Sequence, residues 1–230
     1  MAVYICRHGD KESLDHYSML SDVGKTQARD LGTALFNRGV HGPCILSSGY
    51  RRCLQTASAI SQQVGGVPIR MEYGLSEGPL HQPNSFPDPL TMKREFALLD
   101  LTYNPQTPEP HNEYDQRDVL PRCEEMGNFI TAFFANHREC EDVVVVTHGT
   151  VAMALVAAMV KKPHESLDSC LQKINGCVPA GYYQLVPSMC DERGLVWTTN
   201  FQCICSHLAP EVQAHGTETT PICFIPGPTH

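Results

Sequence analysis

Two short apolar runs in this chain each end abruptly at a histidine followed by a glycine, and that recurrence constrains the fold more than any other feature. Residues 143–146 are all valine and run straight into Thr147, His148 and Gly149. Residues 2–6 form a second such run and end at Arg7, His8 and Gly9. An unbroken β-branched apolar run is what a strand covered on both faces requires. A helix rich in alanine is predicted directly after the valine run, over 150–159. Two buried strands delivering the same dipeptide to their ends call for a parallel sheet, because ligands of such sheets bind at the carboxyl ends of the strands.

The rest of the pattern agrees. Ser21 is placed to cap a helix in which Gly24, Ala28, Leu31 and Leu35 recur with helical spacing. Gly39 and the Gly42-Pro43 pair break the chain, and residues 44–47 read as a third short strand, ending at Ser47-Ser48. Tyr50, Cys53, Ala57, Ile60 and Val64 form the apolar stripe of the next helix. Residues 67–71 read as a strand. Prolines crowd residues 74–115, where only a helix over 91–99 is expected inside a long loop. Val119, Cys123, Met126, Ile130 and Phe133 predict a further helix, and 182–186 and 195–198 read as late strands. The alternation predicts an α/β fold with a mostly parallel sheet.

Composition narrows the function. The chain has 230 residues, 42% of them hydrophobic and 18% charged, which suits one globular domain. Seventeen basic against 25 acidic side chains leave a net charge of −8, which disfavours nucleic acid or an anionic membrane as partner. The longest apolar stretch, 151–160, is too short for a bilayer, which needs about 20 residues. Arg7 is reached with no basic lead-in, so no secretory leader is expected. Eleven cysteines without paired zinc-like spacing point to a reducing, cytoplasmic setting with mostly unpaired thiols. The last thirty residues are expected to form a loosely attached tail.

Three strand-end motifs carry chemistry. A neutral imidazole at His8 can attack phosphorus, Gly9 permits close backbone approach to an anion, and Arg7 offers a rigid donor fork. An isolated triplet of this kind is equally a histidine bonded to its own loop. Ser48 stands just before a helix, where its hydroxyl and the free amides can meet an anion. Arg52 and Thr56 share a helical face distinct from the stripe through Cys53 and Ala57, so Arg52 can enter a pocket while the helix packs on the sheet. Arg51 is expected in solvent or in a salt bridge. His148 can donate to a phosphoryl oxygen, and the helix starting near Thr150 turns its positive end to the same rim.

Together these pieces resemble the histidine phosphatase, or phosphoglycerate mutase-like, superfamily. Arg7-His8-Gly9 is similar to its nucleophile motif and Thr147-His148-Gly149 to its second histidine motif. Leu20 through Ala28 looks like its first-helix signature. Ser48 through Ala57 is similar to a segment that usually reads serine, proline, leucine, any residue, arginine, with Gly49 and Tyr50 departing from it and Arg52 on the arginine position. Residues 69–77 resemble the branch containing the suppressor-of-T-cell-signalling and ecdysteroid-phosphate phosphatases, with Tyr73 and Gly78 departing from its pattern.

The resemblance implies a three-layer α/β/α sandwich and a catalytic domain over 1–199, with a specificity loop at 78–115 and a tail at 200–230. It implies a metal-independent, cofactor-free phosphomonoesterase in which His8 becomes phosphohistidine, assisted by Arg7, Arg52 and His148. Gly9, Ser48, Glu72 and Gly149 are expected to line the substrate. Glu77 is the first choice for the proton donor and Glu72 the second. Phe86, Phe96, Tyr103 and Tyr114 either wall the pocket or anchor the loop, with Phe96 expected to anchor; His81 is a possible rim donor. The expected partner is a phosphorylated small molecule or phosphopeptide, with no nucleic acid or membrane and with a homodimer possible. A mutase or bisphosphatase of small sugar acids and a catalytically weak interaction module are the alternatives. The complete set of Arg7, His8, Arg52 and His148 argues against the last, since a scaffold has no need of all four.

Overall fold

A computed structural model describes residues 1–13, 18–77, 88–108, 119–137, 140–190 and 194–210. Its centre is a six-stranded sheet of β1 (Val3–Arg7), β2 (Cys44–Ser47), β3 (Ile69–Met71), β4 (Val143–Thr147), β5 (Tyr182–Cys190) and β6 (Gly194–Thr198). The strand order is β3-β2-β4-β1-β5-β6. β3, β2, β4 and β1 run parallel, and β5 and β6 add an antiparallel edge.

The two faces of the sheet explain the unbroken apolar runs. Tyr4, Cys6, Val144 and Val146 pack into one core with Leu31 and Leu35 of α1 (Asp22–Asn37) and Leu54 and Ile60 of α2 (Arg51–Gln63). Their neighbours Val3, Ile5, Val143 and Val145 pack into a second core with Cys123 and Ile130 of α4 (Val119–Asn136) and Leu155 of α5 (Gly149–Val160). Successive strand side chains point to opposite faces, so both sets must be apolar when helices cover both. This is the expected three-layer α/β/α sandwich.

Several boundaries move for physical reasons. The strand expected from residue 67 begins at Ile69, because Pro68 has no N–H for the ladder. The helix expected over 91–99 is α3 (Pro89–Glu95): Asp88 caps it through the amides of Leu90 and Thr91, with proline in the first turn. β5 continues past residue 186 through Pro187, beyond the stretch where it pairs with β1. A single turn of 3-10 helix at Tyr73–Leu75 and the short α6 (Leu167–Leu171) carry too few residues for a periodicity to register.

Two further findings differ from the sequence reading. Cys44 and Cys140 form a disulfide, while Cys6, Cys53, Cys123, Cys170, Cys177, Cys203 and Cys205 are free. Residues 200–210 are not loose: Ile204 exchanges both backbone hydrogen bonds with Tyr182, and Leu208 is buried. The remainder of the expected tail lies outside the described residues. No helix among the described residues is long and apolar enough to cross a membrane.

Candidate active site

The motifs converge because β1, β2 and β4 are adjacent and parallel, so their carboxyl ends share one rim. Ser47 is aligned with Val146 and Arg7 with Thr147. The helices that follow β2 and β4 begin at this rim, and neither α2 nor α5 has a side-chain cap. Uncapped first-turn amides there favour an anion.

His8 is 4% exposed, and its Nδ1 lies 2.7 Å from the Gly9 carbonyl oxygen. A carbonyl only accepts, so Nδ1 carries the proton and Nε2 keeps its lone pair. Arg52 Nε donates to that Nε2 at 3.1 Å. Burial, then His148, Arg52 and Arg7, holds the His8 imidazole well below the ordinary histidine range, against the pull of the Gly9 carbonyl. A neutral ring with a bare Nε2 is the nucleophilic form.

The loop bearing His8 is fixed from below by α1 and α2. Gly9 N donates to Thr56 Oγ1 at 3.2 Å, and Asp10 N to Gln27 Oε1 at 2.7 Å. Gly9 and Gly24 approach so closely that a Cβ on Gly9 would run into the Gly24 backbone, and one on Gly24 into Asp10. The first-helix signature therefore serves the nucleophile loop. Gln27 and Gln55, the latter accepting from Leu20 N at 2.7 Å, are supports that the sequence reading missed. A buried amide side chain has no distinguishing pattern in one sequence.

Arg52 is fully buried, and its guanidinium links the centre. Nη2 donates to Glu77 Oε2 at 3.0 Å and lies 3.2 Å from His148 Nδ1. A guanidinium cannot accept, so His148 Nδ1 does, and Nε2–H donates to Ser48 Oγ at 3.0 Å. The His8 and His148 ring centroids are 5.2 Å apart. Burial pushes His148 down to about 4; Glu77 pulls it upward, and Arg52 and Arg7 add to the depression. Arg7 Nη1 donates to the Cys177 carbonyl at 2.6 Å, while its Nε is buried and has no hydrogen-bond partner among the described residues. That donor is placed to serve an anion at the rim. Gly149 leaves room for it: a Cβ there would stand 3.3 Å from the guanidinium carbon.

The two glutamates separate. Glu77 Oε2 reaches Arg52 and comes within 3.3 Å of His148 Nδ1. Burial pushes its carboxyl up, but His148, Arg52 and His8 outweigh that and hold it well below the usual carboxylate range. Glu72 is turned away from the centre. Its Oε2 accepts from Tyr103 OH at 3.1 Å and Gln106 N at 2.7 Å, and its Oε1 from Thr107 N at 2.9 Å and Gly74 N at 3.2 Å. All this capacity is spent on the chain itself, so Glu72 is a loop clamp, not the substrate contact or reserve acid expected from sequence.

The described part of the 78–115 loop is anchored in the same way. Phe96 is buried, as expected, and Tyr103 is bonded to Glu72. Arg51 pairs with Glu95 at 2.7 Å. Phe86, His81 and Tyr114 lie outside the described residues. Lys11, which the sequence reading passed over, is partly buried near the site; burial, Arg52 and Arg7 lower its pKa while Glu77 raises it. Among the described residues no group of three or more His, Cys, Asp or Glu is placed to hold a metal ion.

Comparisons with known proteins agree with this layout. The profile of the histidine phosphatase superfamily (branch 1) matches residues 3–180. The chain is 26% identical over 186 residues to the ecdysteroid-phosphate phosphatase of Drosophila melanogaster; the alignment covers 78% of this chain and 22% of that protein. The chain thus spans about a fifth of that relative's length. In fold it is similar to the ecdysone phosphate phosphatase of Bombyx mori in complex with tungstate, with TM-score 0.67, 16% identity and coverage of 91% and 93% of the two chains. It is likewise similar to a mycobacterial glucosyl-3-phosphoglycerate phosphatase, with TM-score 0.60, 22% identity and coverage of 86% and 96%. The profile runs from β1 to the turn before β5 and so takes in both strand-end histidines and the helix between them: the chain belongs to branch 1 of the histidine phosphatase superfamily.

Proposed function

We propose that the protein is a phosphomonoesterase that works through a phosphohistidine on His8. The observation that carries this reading is the imposed tautomer: Nδ1–H is committed to Gly9, which leaves Nε2 unprotonated, its lone pair accepting from Arg52 Nε–H. In the first step Nε2 forms a bond to phosphorus as the ester P–O bond breaks, and the departing oxygen takes a proton from Glu77. In the second, the Glu77 carboxylate takes a proton from water, the water oxygen bonds to phosphorus and the P–N bond breaks. Arg7 and Arg52 stabilise charge on the equatorial oxygens, and His148 and Ser48 adjoin them.

Glu77 must be protonated to act first, yet without substrate it is an ionised partner of Arg52. A phosphate dianion resolves the conflict. It competes for the same donors, removes the groups that depress the carboxyl and brings its own negative charge, all of which favour protonation. The substrate is a phosphorylated small molecule, consistent with the names of the relatives, with a phosphopeptide as the wider alternative. The free thiols support a cytoplasmic setting.

Quenching the protein during turnover of a labelled ester tests the reading. Wild type should retain acid-labile, alkali-stable phosphate and His8→Ala none; equal labelling of both would overturn the assignment. With the cationic charge supplied by arginine, hydrolysis of an aryl phosphate should persist in EDTA.

A further inference from the structure

The placement of the proposed acid's carboxyl depends on what holds the main chain at residue 77. The bonds upstream stop short of it. Arg122 donates to the Gly74 carbonyl, Thr147 Oγ1 donates to the Leu75 carbonyl at 2.6 Å, and Ser76 Oγ lies 3.4 Å from Ser48 Oγ. At residue 77 itself, the main-chain carbonyl accepts a hydrogen bond from Tyr50 OH at 3.0 Å.

Tyr50 touches more than the acid. It is 5% exposed, and the Arg52 guanidinium carbon lies 4.5 Å from its ring centroid. The His148 ring meets it edge-on at 4.8 Å. One side chain at the N-cap of α2 thus contacts the main chain of the acid, the guanidinium that pairs with the acid, and the imidazole beside both. The ring's negative face suits a cation stacked on it, and the phenol, at the far end of a rigid ring, has a fixed reach.

We infer that Tyr50 is a positioning residue for the phosphoryl transfer: its hydroxyl fixes the main chain of Glu77 so that the carboxyl is held toward the leaving side, and its ring orients Arg52. With the carbonyl pinned, the carboxyl retains only its side-chain torsions. Without the pin, the main chain of residue 77 gains its own backbone torsions and the carboxyl moves with them. The cost appears where proton donation matters, because a misplaced acid slows the bond cleavages that need it. The inference rests on the reading of Glu77 as the acid.

The test is single-turnover phosphohistidine formation across esters of different leaving-group pKa, in wild type, Tyr50→Phe, Glu77→Gln and the double variant. Tyr50→Phe keeps the ring on Arg52 and His148 and deletes only the hydroxyl. It should slow alkyl esters by about three- to tenfold, the scale of one lost hydrogen bond, and leave a nitrophenyl ester within about twofold. Its leaving-group dependence should steepen in the same direction as that of Glu77→Gln, and the double variant should be no steeper than Glu77→Gln alone. Tyr50→Leu, which removes the ring as well, should in addition weaken inhibition by inorganic phosphate. A steep Glu77→Gln with a Tyr50→Phe that is flat, or that slows every ester equally, overturns the role of Tyr50 and leaves the acid in place. Additive steepening in the double variant also overturns it. A flat Glu77→Gln overturns the acid assignment and the inference with it.

Discussion

Arg52 spends its guanidinium on three partners at once: His8 Nε2, Glu77 Oε2 and His148 Nδ1. A lysine at this place would keep the charge and lose the fork, since one ammonium cannot span three acceptors spaced for a planar donor group. Arg52→Lys should therefore slow phosphohistidine formation by about 10²–10³-fold, the scale of a lost transition-state donor, with little change in folding. Rapid-quench labelling checks this; a loss under tenfold would mean that charge alone suffices. The depressed histidines make a second prediction. An unfolded histidine binds a proton below about pH 6.5, whereas His8 stays neutral to well below that and His148 to about 4. The unfolded chain therefore holds more protons in that window, and stability falls as pH drops through it, by up to about 1.4 kcal/mol per pH unit for each ring. Glu77 acts below that window: its folded pKa is depressed from 4.5, so its contribution is present above about 4.5 and lost as pH falls further. Urea midpoints from pH 7 to 4 should show the decline, and His148→Gln should flatten it by one ring's share. Unaltered steepness in that variant would contradict a neutral buried His148. His8 and His148 were visible in the sequence because each ends a buried strand. Tyr50, which touches Arg52, His148 and the main chain of Glu77, was not: it reads only as the first apolar residue of a helical stripe.

One carboxylate ties the turn at Tyr73–Leu75 to residues 103–107. Glu72 caps the 3-10 turn at Tyr73–Leu75 and accepts from Tyr103, Gln106 and Thr107, so two distant pieces of chain are tied at one buried point. Glu72→Ala would leave several of these donors without partners, at about 1–3 kcal/mol for each one that stays buried. It should lower stability by about 3 kcal/mol or more, seen as a reduced urea midpoint, while the leaving-group dependence of the folded fraction stays that of wild type. A steepened dependence instead would return Glu72 to the chemistry. This division of labour was beyond the sequence. Two glutamates five residues apart in one loop-forming stretch look alike until their partners, about thirty residues downstream for Glu72 and on α2 and β4 for Glu77, are in place. The strands and long helices were legible, since burial on both faces leaves an unmistakable apolar record. The short elements were hidden by length, and α3 was shifted because Asp88-Pro89 signals a start that periodicity alone overlooks.

The whole molecule keeps its cross-link and its chemistry at opposite ends of the sheet. Cys44 opens β2, and Cys140 precedes β4, whereas His8, Ser48 and His148 follow the other ends of the strands. Reduction should cost about 2–4 kcal/mol, a usual range for a bridge closing a long loop, with kcat unchanged. Denaturation with and without a reductant checks the first part, and Cys44→Ser should match the reduced protein; a parallel loss of kcat would mean that strain crosses the sheet. The strand order has one more consequence, for how the chain is made. β1 is made well before either of its neighbours, since β4 and β5 lie beyond residue 142. Until they emerge, Val3, Ile5 and Cys6, fully enclosed in the finished sheet, have no strand to pair with, and a nascent chain of this kind is one that chaperones hold. His8 acquires Arg7's carbonyl anchor at Cys177 and the His148 ring only after residues 148 and 177 have been made. The candidate site is therefore assembled only once β4 and the turn before β5 exist, by topology alone.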